Sequence, residues 1–212
     1  MLTRLLDTIV PLRCPGCGAD GVVLCSPCLA ALRPAGDRPP PGHLDALVGL
    51  LRYRGAAERV VARAKYRHDG RLLTRLGAAL GPLLDHLLDE VVEQGSGTGV
   101  PVAVTWVPGT PRHRRARGGD PAATLARSAA ATSAHRPGVS GLLRRLDDRP
   151  QAGRDRAGRS AGPRLAAVAP APPLVVVVDD VCTTGASVAA AGRALRRAGA
   201  SSVLGLVLAV RD

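Results

Sequence analysis

The sequence predicts an α/β protein, a parallel, doubly wound sheet flanked by helices and preceded by a small four-cysteine module. Three observations carry this reading. Apolar runs rich in branched residues alternate with stretches of helical periodicity, as strands joined by crossover helices do. One such run, Leu174 to Val178, is uninterrupted and mostly β-branched, the composition of a central strand covered on both faces. Two Cys-x-x-Cys pairs stand within the first 28 residues, ahead of the alternating region. At 212 residues the chain has room for one α/β domain and a small module. The four prolines of Arg33 to Gly42 mark a linker, so the expected division is a module with its linker over 1–42 and an α/β domain over 43–212.

The elements follow in order. Leu2 to Val10 has a helical apolar pattern and reads as a short lead-in helix. Leu44 to Leu51 is strand-like and turns at Tyr53-Arg54-Gly55. Ala56 to Lys65 and Leu72 to Leu88 carry apolar residues at helical spacing. Glu93 to Gly99 is a flexible connection; its glycines follow no strand and are no dinucleotide fingerprint. Val102 to Val107 is a buried-strand candidate, followed by a basic loop and an Ala-rich helix from Pro121 to Ala131. Leu142 to Gly162 is polar and rich in arginine, and Val188 to Ala198 and Ser202 to Val210 read as the last helix and strand.

Cys14-Pro-Gly-Cys17 and Cys25-Ser-Pro-Cys28 are separated by seven residues. Each pair places two sulfurs on one tight turn, and two facing turns close a tetrahedral four-thiolate site for Zn2+. Gly16 and Gly18 suit the first turn, where positive φ is needed. Disulfides are the other use of paired cysteines, and a reducing compartment disfavours them. Four thiolates leave no open position for a substrate, so the zinc would be structural. No apolar stretch approaches the length of a membrane span and no secretory cleavage pattern follows Val10, so we expect a cytoplasmic protein without membrane insertion.

The chemistry concentrates after Leu174 to Val178. Asp179 and Asp180 end the apolar run, and Cys182, Thr183, Thr184, Gly185, Ala186 and Ser187 lead into the next helix. Ligands of open α/β sheets sit beyond the carboxyl ends of strands. A helix N-terminus there aims free N–H groups at an anion. The hydroxyls add donors, Gly185 allows close approach of the backbone, and the paired acids can accept hydrogen bonds from ribose hydroxyls. The segment reads as a ribose-phosphate site. Cys182 reads as a small space-filler.

This segment resembles the phosphoribosyl pyrophosphate (PRPP) loop of type I phosphoribosyltransferases. In order, the four-cysteine knuckle, Tyr53-x-Gly55, Lys65, Val107-Pro108 with Arg117-Gly118, Gln151 with Arg159, and the PRPP loop look like the ComF family of competence-associated phosphoribosyltransferase-like proteins. The resemblance implies a type I phosphoribosyltransferase-like fold. It implies that Asp179 and Asp180 hold the ribose hydroxyls, with Cys182 to Ser187 around the 5′-phosphate. Arg112, Arg114, Arg115 and Arg117 would lie on the pyrophosphate side, and a mobile loop with Gln151, Arg156 and Arg159 would close over it. Mg2+ would accompany PRPP. The chain departs from the family at Gly119-Asp120, where Phe-Asn is usual, and at Gly162 in place of an asparagine.

Composition bounds the partners. The net charge is +12, and Lys65 is the sole lysine among 29 basic residues, so an anionic partner is expected. Arg112 to Arg117 holds four arginines and a histidine. Guanidinium forks of this kind suit a pyrophosphate, a nucleic acid or plain solvent. Arg144 to Arg159, with six arginines and three aspartates, has the composition of a lid or a linker, and its place just before the Leu174 to Val178 strand favours the lid. Lys65 could contact a phosphate but reads rather as the end of an exposed helix, Trp106 as core rather than a base-stacking platform, and the five histidines as scattered surface residues. No Walker A sequence is present, which excludes ATP hydrolysis by that route. Three functions fit: phosphoribosyl transfer to a nitrogen acceptor, PRPP or nucleotide binding without turnover beside a DNA-uptake (competence-machinery) partner, and a zinc-module DNA binder.

Overall fold

The structure, a computed structural model, describes residues 13–35, 38–66, 70–93, 100–116, 118–146 and 162–211. The expected lead-in helix and the loop carrying Gln151, Arg156 and Arg159 lie outside these residues, as does Arg117.

Five strands form one parallel sheet: β1 (Ala46–Arg52), β2 (Val102–Trp106), β3 (Gly138–Val139), β6 (Leu174–Cys182) and β7 (Ser202–Val210), in the order β1-β7-β6-β2-β3. The central strand is the apolar run, and its side chains alternate between two cores. Val176 and Val178 face one layer, made by α2 (Ala56–Tyr66), α3 (Gly70–Ala78), α4 (Gly81–Val91) and α6 (Pro121–Thr132). Val175 and Val177 face the other, where α7 (Ala186–Arg197) lies. All four valines are fully buried, which is why no polar residue interrupts the run. The α/β class, the parallel sheet and the helical layers on both faces stand as expected.

Close approach needs small residues at defined points. A Cβ on Gly205 of β7 would lie 2.5 Å from Leu47 Cδ1 and 2.6 Å from Leu44 Cδ2. Gly205→Val therefore overpacks the sheet face and lowers stability by about 1–3 kcal/mol, measurable as a fall in the denaturant midpoint. An unchanged midpoint would show that Leu44 and Leu47 yield freely.

Several expected elements differ in detail. The helix expected over Leu72 to Leu88 is two helices, because Pro82 has no N–H to continue the ladder and restarts it as α4. The basic loop is instead a short helix, α5 (Pro111–Ala116). Pro111 presets its first turn, and the Thr110 hydroxyl accepts the His113 N–H at 3.2 Å. The arginine-rich stretch contributes β4 (Leu143–Arg145), which pairs antiparallel with β5 (Leu165–Ala167). Thr105, fully buried in β2, accepts the Leu142 N–H at 3.1 Å and fixes the root of that hairpin. The proline-rich segment, read as a linker, runs along the β1 edge. Ala35 N–H donates to Leu50 O at 3.3 Å and Arg52 N–H donates to Arg33 O at 2.8 Å, covering part of an otherwise open strand.

Candidate functional site

Two sites are built by these elements. The first is the four-cysteine cluster. Cys14 and Cys17 flank a turn closed by the Gly18 N–H on Cys14 O at 2.8 Å, with Gly18 at φ +82°. Cys25 and Cys28 sit at the start of α1 (Ser26–Ala30). Cys14 Sγ and Cys17 Sγ each lie 3.5 Å from Cys25 Sγ, and all four sulfurs fall within 4.8 Å of one another. Tetrahedral zinc–thiolate bonds require sulfurs roughly 3.8 Å apart, so the four cysteines are close enough to bind a metal such as zinc. Gly16 is present for space and not for positive φ, since a Cβ there would come 2.4 Å from Cys28 Sγ. Burial pushes the Cys14 thiol up, yet hydrogen bonds from Cys25, Cys17 and Gly16 outweigh it and bring the group to about 6. Its neighbour Cys28 is pushed up to about 12, first by the Cys25 side chain and then by burial. Crowded sulfurs ionise together only when a cation joins them. The cluster is docked on the sheet domain: Arg59 of α2 donates to Gly16 O at 3.1 Å, and Val23, Leu24 and Leu32 pack against the first core.

The second site lies at the carboxyl edge of the sheet. From β2 the chain passes outward to β3, and from β6 it passes the other way to β7. The crevice between β2 and β6 is thus the topological switch point, where open α/β sheets take ligands. Pairing makes room there. β2 ends with Trp106 opposite Val178, whereas β6 continues through Asp179 to Cys182 against β7 alone. The acids therefore stand within the last turn of a strand whose β2-facing side has lost its partner. A cleft of about 430 Å³ opens above them.

Asp179 accepts the Asp180 N–H at 2.8 Å. Burial pushes its carboxyl well above the usual carboxylate range, and the charge of Asp180 adds to the rise. Lys65 of α2 reaches across to Asp180, Nζ to Oδ1 2.8 Å, with only 21% and 18% of the two side chains exposed. Lys65 is thus a wall of the cleft and not the exposed helix end the sequence suggested. Asp120 accepts the Gly109 N–H at 2.8 Å and pins the turn after β2. Burial raises its carboxyl as well.

Beyond the acids the chain enters the turn Thr183-Thr184-Gly185. Gly185, at φ +80°, is the N-cap residue of α7 and supplies no side-chain cap. Thr184 Oγ1 receives the Ala186 N–H at 3.3 Å, and the remaining first-turn amides have no partner within the helix. The turn curls around a small cup bordered by residues 181–188, with both threonines exposed. Cys182 is 2% exposed, faces the second core, and has its thiol raised by burial; only its backbone belongs to the turn. Arg38, from the proline-rich segment, clasps the turn from outside. Its Nη1 donates to Thr183 O at 2.8 Å and Arg211 O at 3.3 Å, and lies 3.6 Å from Cys182 Sγ. Pro41 packs so closely on Gly185 that a Cβ there would lie 2.4 Å from it.

The expected site residues thus separate into groups. Asp179, Asp180, Thr183 and Ser187 line the cleft together, and Thr184, Gly185 and Ala186 join them around the cup. Of the α5 arginines, Arg114 lines the cleft whereas Arg112 and Arg115 are exposed outside it. Sequence reasoning set Lys65 aside as a helix end and missed Asp120, Arg145 and Arg211 as cleft residues, and with them Tyr53, whose ring lies 5.6 Å from the Arg211 guanidinium. The retention of one lysine in a chain that otherwise uses arginine was a signal for Lys65. Trp106 packs against the first core with Arg127 at 5.4 Å over its ring, as core and not as a platform in the cleft.

Fold and sites together define an α/β protein with a five-stranded parallel sheet, a cleft of acids and cations at its switch point, and a four-cysteine cluster docked on one side. Comparison with known protein families and with curated proteins returns no match. No helix among the described residues is long and apolar enough to cross a membrane.

Proposed function

We propose that the chain is a PRPP-binding protein of the type I phosphoribosyltransferase-like, ComF-type class, with a structural zinc in its cysteine cluster. One observation carries the reading: Asp179 and Asp180 stand near the carboxyl end of the central strand at the switch point, and Val181 to Thr184 lead from them to the left-handed Gly185, which gives the α7 N-terminus no side-chain cap. That arrangement offers acceptors for vicinal hydroxyls beside donors for a phosphate, at the spacing of adjacent residues. The carboxyls of Asp179 and Asp180 receive the ribose hydroxyls. Backbone N–H groups and hydroxyls of Thr183 to Ser187 hold the 5′-phosphate. Arg114 faces the pyrophosphate, and Asp120 keeps the turn after β2 in place beneath it. Mg2+ bound together with PRPP would supply positive charge against the pyrophosphate, beside the carboxyls of Asp179 and Asp180. Where an acceptor nitrogen is present, the protein's contribution to transfer is positioning and stabilisation of the departing pyrophosphate.

Isothermal titration calorimetry of the zinc-loaded chain with PRPP and Mg2+ tests this. The expected result is one site per chain that disappears when Mg2+ is left out of the buffer. Heat indistinguishable from dilution would reject the reading. Pyrophosphate release in the presence of candidate bases and amines then separates transfer from binding without turnover. A salt-sensitive shift of single-stranded DNA that ignores PRPP would favour the DNA-binding alternative.

A further inference from the structure

We propose that Lys65 is the pyrophosphate-side cation of the cleft, held on Asp180 in the free protein and handed to the ligand when ribose hydroxyls take its place. The inference rests on the PRPP reading and names a residue that reading does not require. Lys65 is the chain's only lysine, and α2 carries it into the cleft from the face opposite the phosphate turn. Its Nζ lies 2.8 Å from Asp180 Oδ1, so it stands at the level of the ribose site and not at the 5′-phosphate end. The arginines expected on the pyrophosphate side are thinned by the geometry, since only Arg114 of α5 lines the cleft among the described residues. Arg145 and Arg211 also line the cleft, yet a leaving pyrophosphate carries several charges, and an ammonium beside these guanidiniums adds to their neutralisation.

Charge pairing in the empty cleft explains the storage. Asp120, Asp179 and Asp180 stand close enough to repel one another, and Lys65 interacts with both members of the acid pair. Without a cation three carboxyls would face each other in a half-buried crevice, which costs free energy. When a sugar supplies hydroxyl donors and Mg2+ supplies charge, Asp180 no longer needs the ammonium. Four rotatable carbons let it swing to a phosphate without moving α2.

The discriminating experiment compares two ligands that differ by the pyrophosphate alone. Calorimetric affinities for PRPP and for ribose 5-phosphate are measured with Mg2+ on wild-type, Lys65→Gln and Lys65→Arg proteins. Circular dichroism melts establish that each variant is folded. Losing one charge-assisted contact corresponds to roughly ten- to a hundredfold in affinity. Lys65→Gln should lose about that factor for PRPP while ribose 5-phosphate binds as in wild type or more tightly, Asp180 having been freed. Lys65→Arg should recover part of the PRPP loss. Equal weakening of both ligands would make Lys65 a structural partner of Asp180 and overturn the inference, as would unchanged PRPP affinity. Wild-type protein that binds neither ligand would remove the PRPP reading itself.

Discussion

If the chain binds PRPP as proposed, replacing Asp179 and Asp180 together by asparagine is expected to abolish Mg2+-dependent PRPP binding, a loss of at least a hundredfold in affinity, while the protein stays folded. Two carboxylates that accept from ribose hydroxyls contribute about 1.5–3 kcal/mol each as charge-assisted hydrogen bonds, so the pair exceeds the range of most calorimetric titrations. The fold survives because asparagine is nearly isosteric and keeps an oxygen to accept the Asp180 N–H now held by Asp179. The single Asp179→Asn variant separates function from stability. Burial holds the Asp179 carboxyl well above its unfolded value, with repulsion from Asp180 in the same direction. Folding therefore penalises the ionised form. That penalty is absent below the unfolded value of about 3.9, grows as pH rises towards the folded value, and is complete above it. Asp179→Asn should accordingly melt higher than wild type at pH 8, with the gain shrinking towards pH 4, even as PRPP affinity falls. Such a trade is expected where a site stores unfavourable charge for a ligand. Melting curves across that pH range decide it; a variant less stable than wild type at pH 8 would show that the acid pair supports the fold.

The parts of this protein legible in its sequence are those in which a local pattern and a tertiary requirement coincide. The Val175 to Val178 run announces a strand buried on both faces because nothing else tolerates it. The cysteine pairs announce a metal-sized cluster because ligand spacing is set by the turn itself. The turn from Asp179 to Ser187 is legible for the same reason, since strand end, glycine and helix start are contiguous. What escaped is assembled across distance. Lys65 meets Asp180 from 115 residues away, by the numbering of the pair. Asp120 finds its purpose only when the Gly109 N–H arrives beside it. The β4–β5 hairpin has three-residue strands without alternation, stabilised by a buried threonine in another strand. Arg33 to Gly42 is rich in proline and reads as a linker, yet its carbonyl and amide groups pair with β1, and Arg38 and Pro41 close on the Thr183–Gly185 turn. Proline excludes helix and central strand, but it leaves an edge contact open.

That contact connects the cysteine cluster to the cleft and sets the expected outcome of removing a bound zinc. A segment of this size, with Cys14 and Cys28 among its few buried groups, holds too little apolar surface to fold alone. Zinc in four-thiolate sites contributes apparent binding free energies of about 10–16 kcal/mol, most of it spent on folding. Purified protein should contain about one zinc per chain by mass spectrometry, as one tetrahedral site requires. Converting Cys14 and Cys28 to serine should remove that zinc and open residues 13–35 to limited proteolysis, while the five-stranded sheet still unfolds cooperatively. The proline-rich segment then loses its anchor, so Arg38 no longer holds Thr183 O and PRPP affinity should fall several-fold. Arg38→Ala should reproduce the affinity loss with the zinc retained. If the cysteine variant keeps full PRPP affinity, the cluster and the phosphate turn are independent. If it resists protease and the wild type carries no metal, the cluster is held by its own packing.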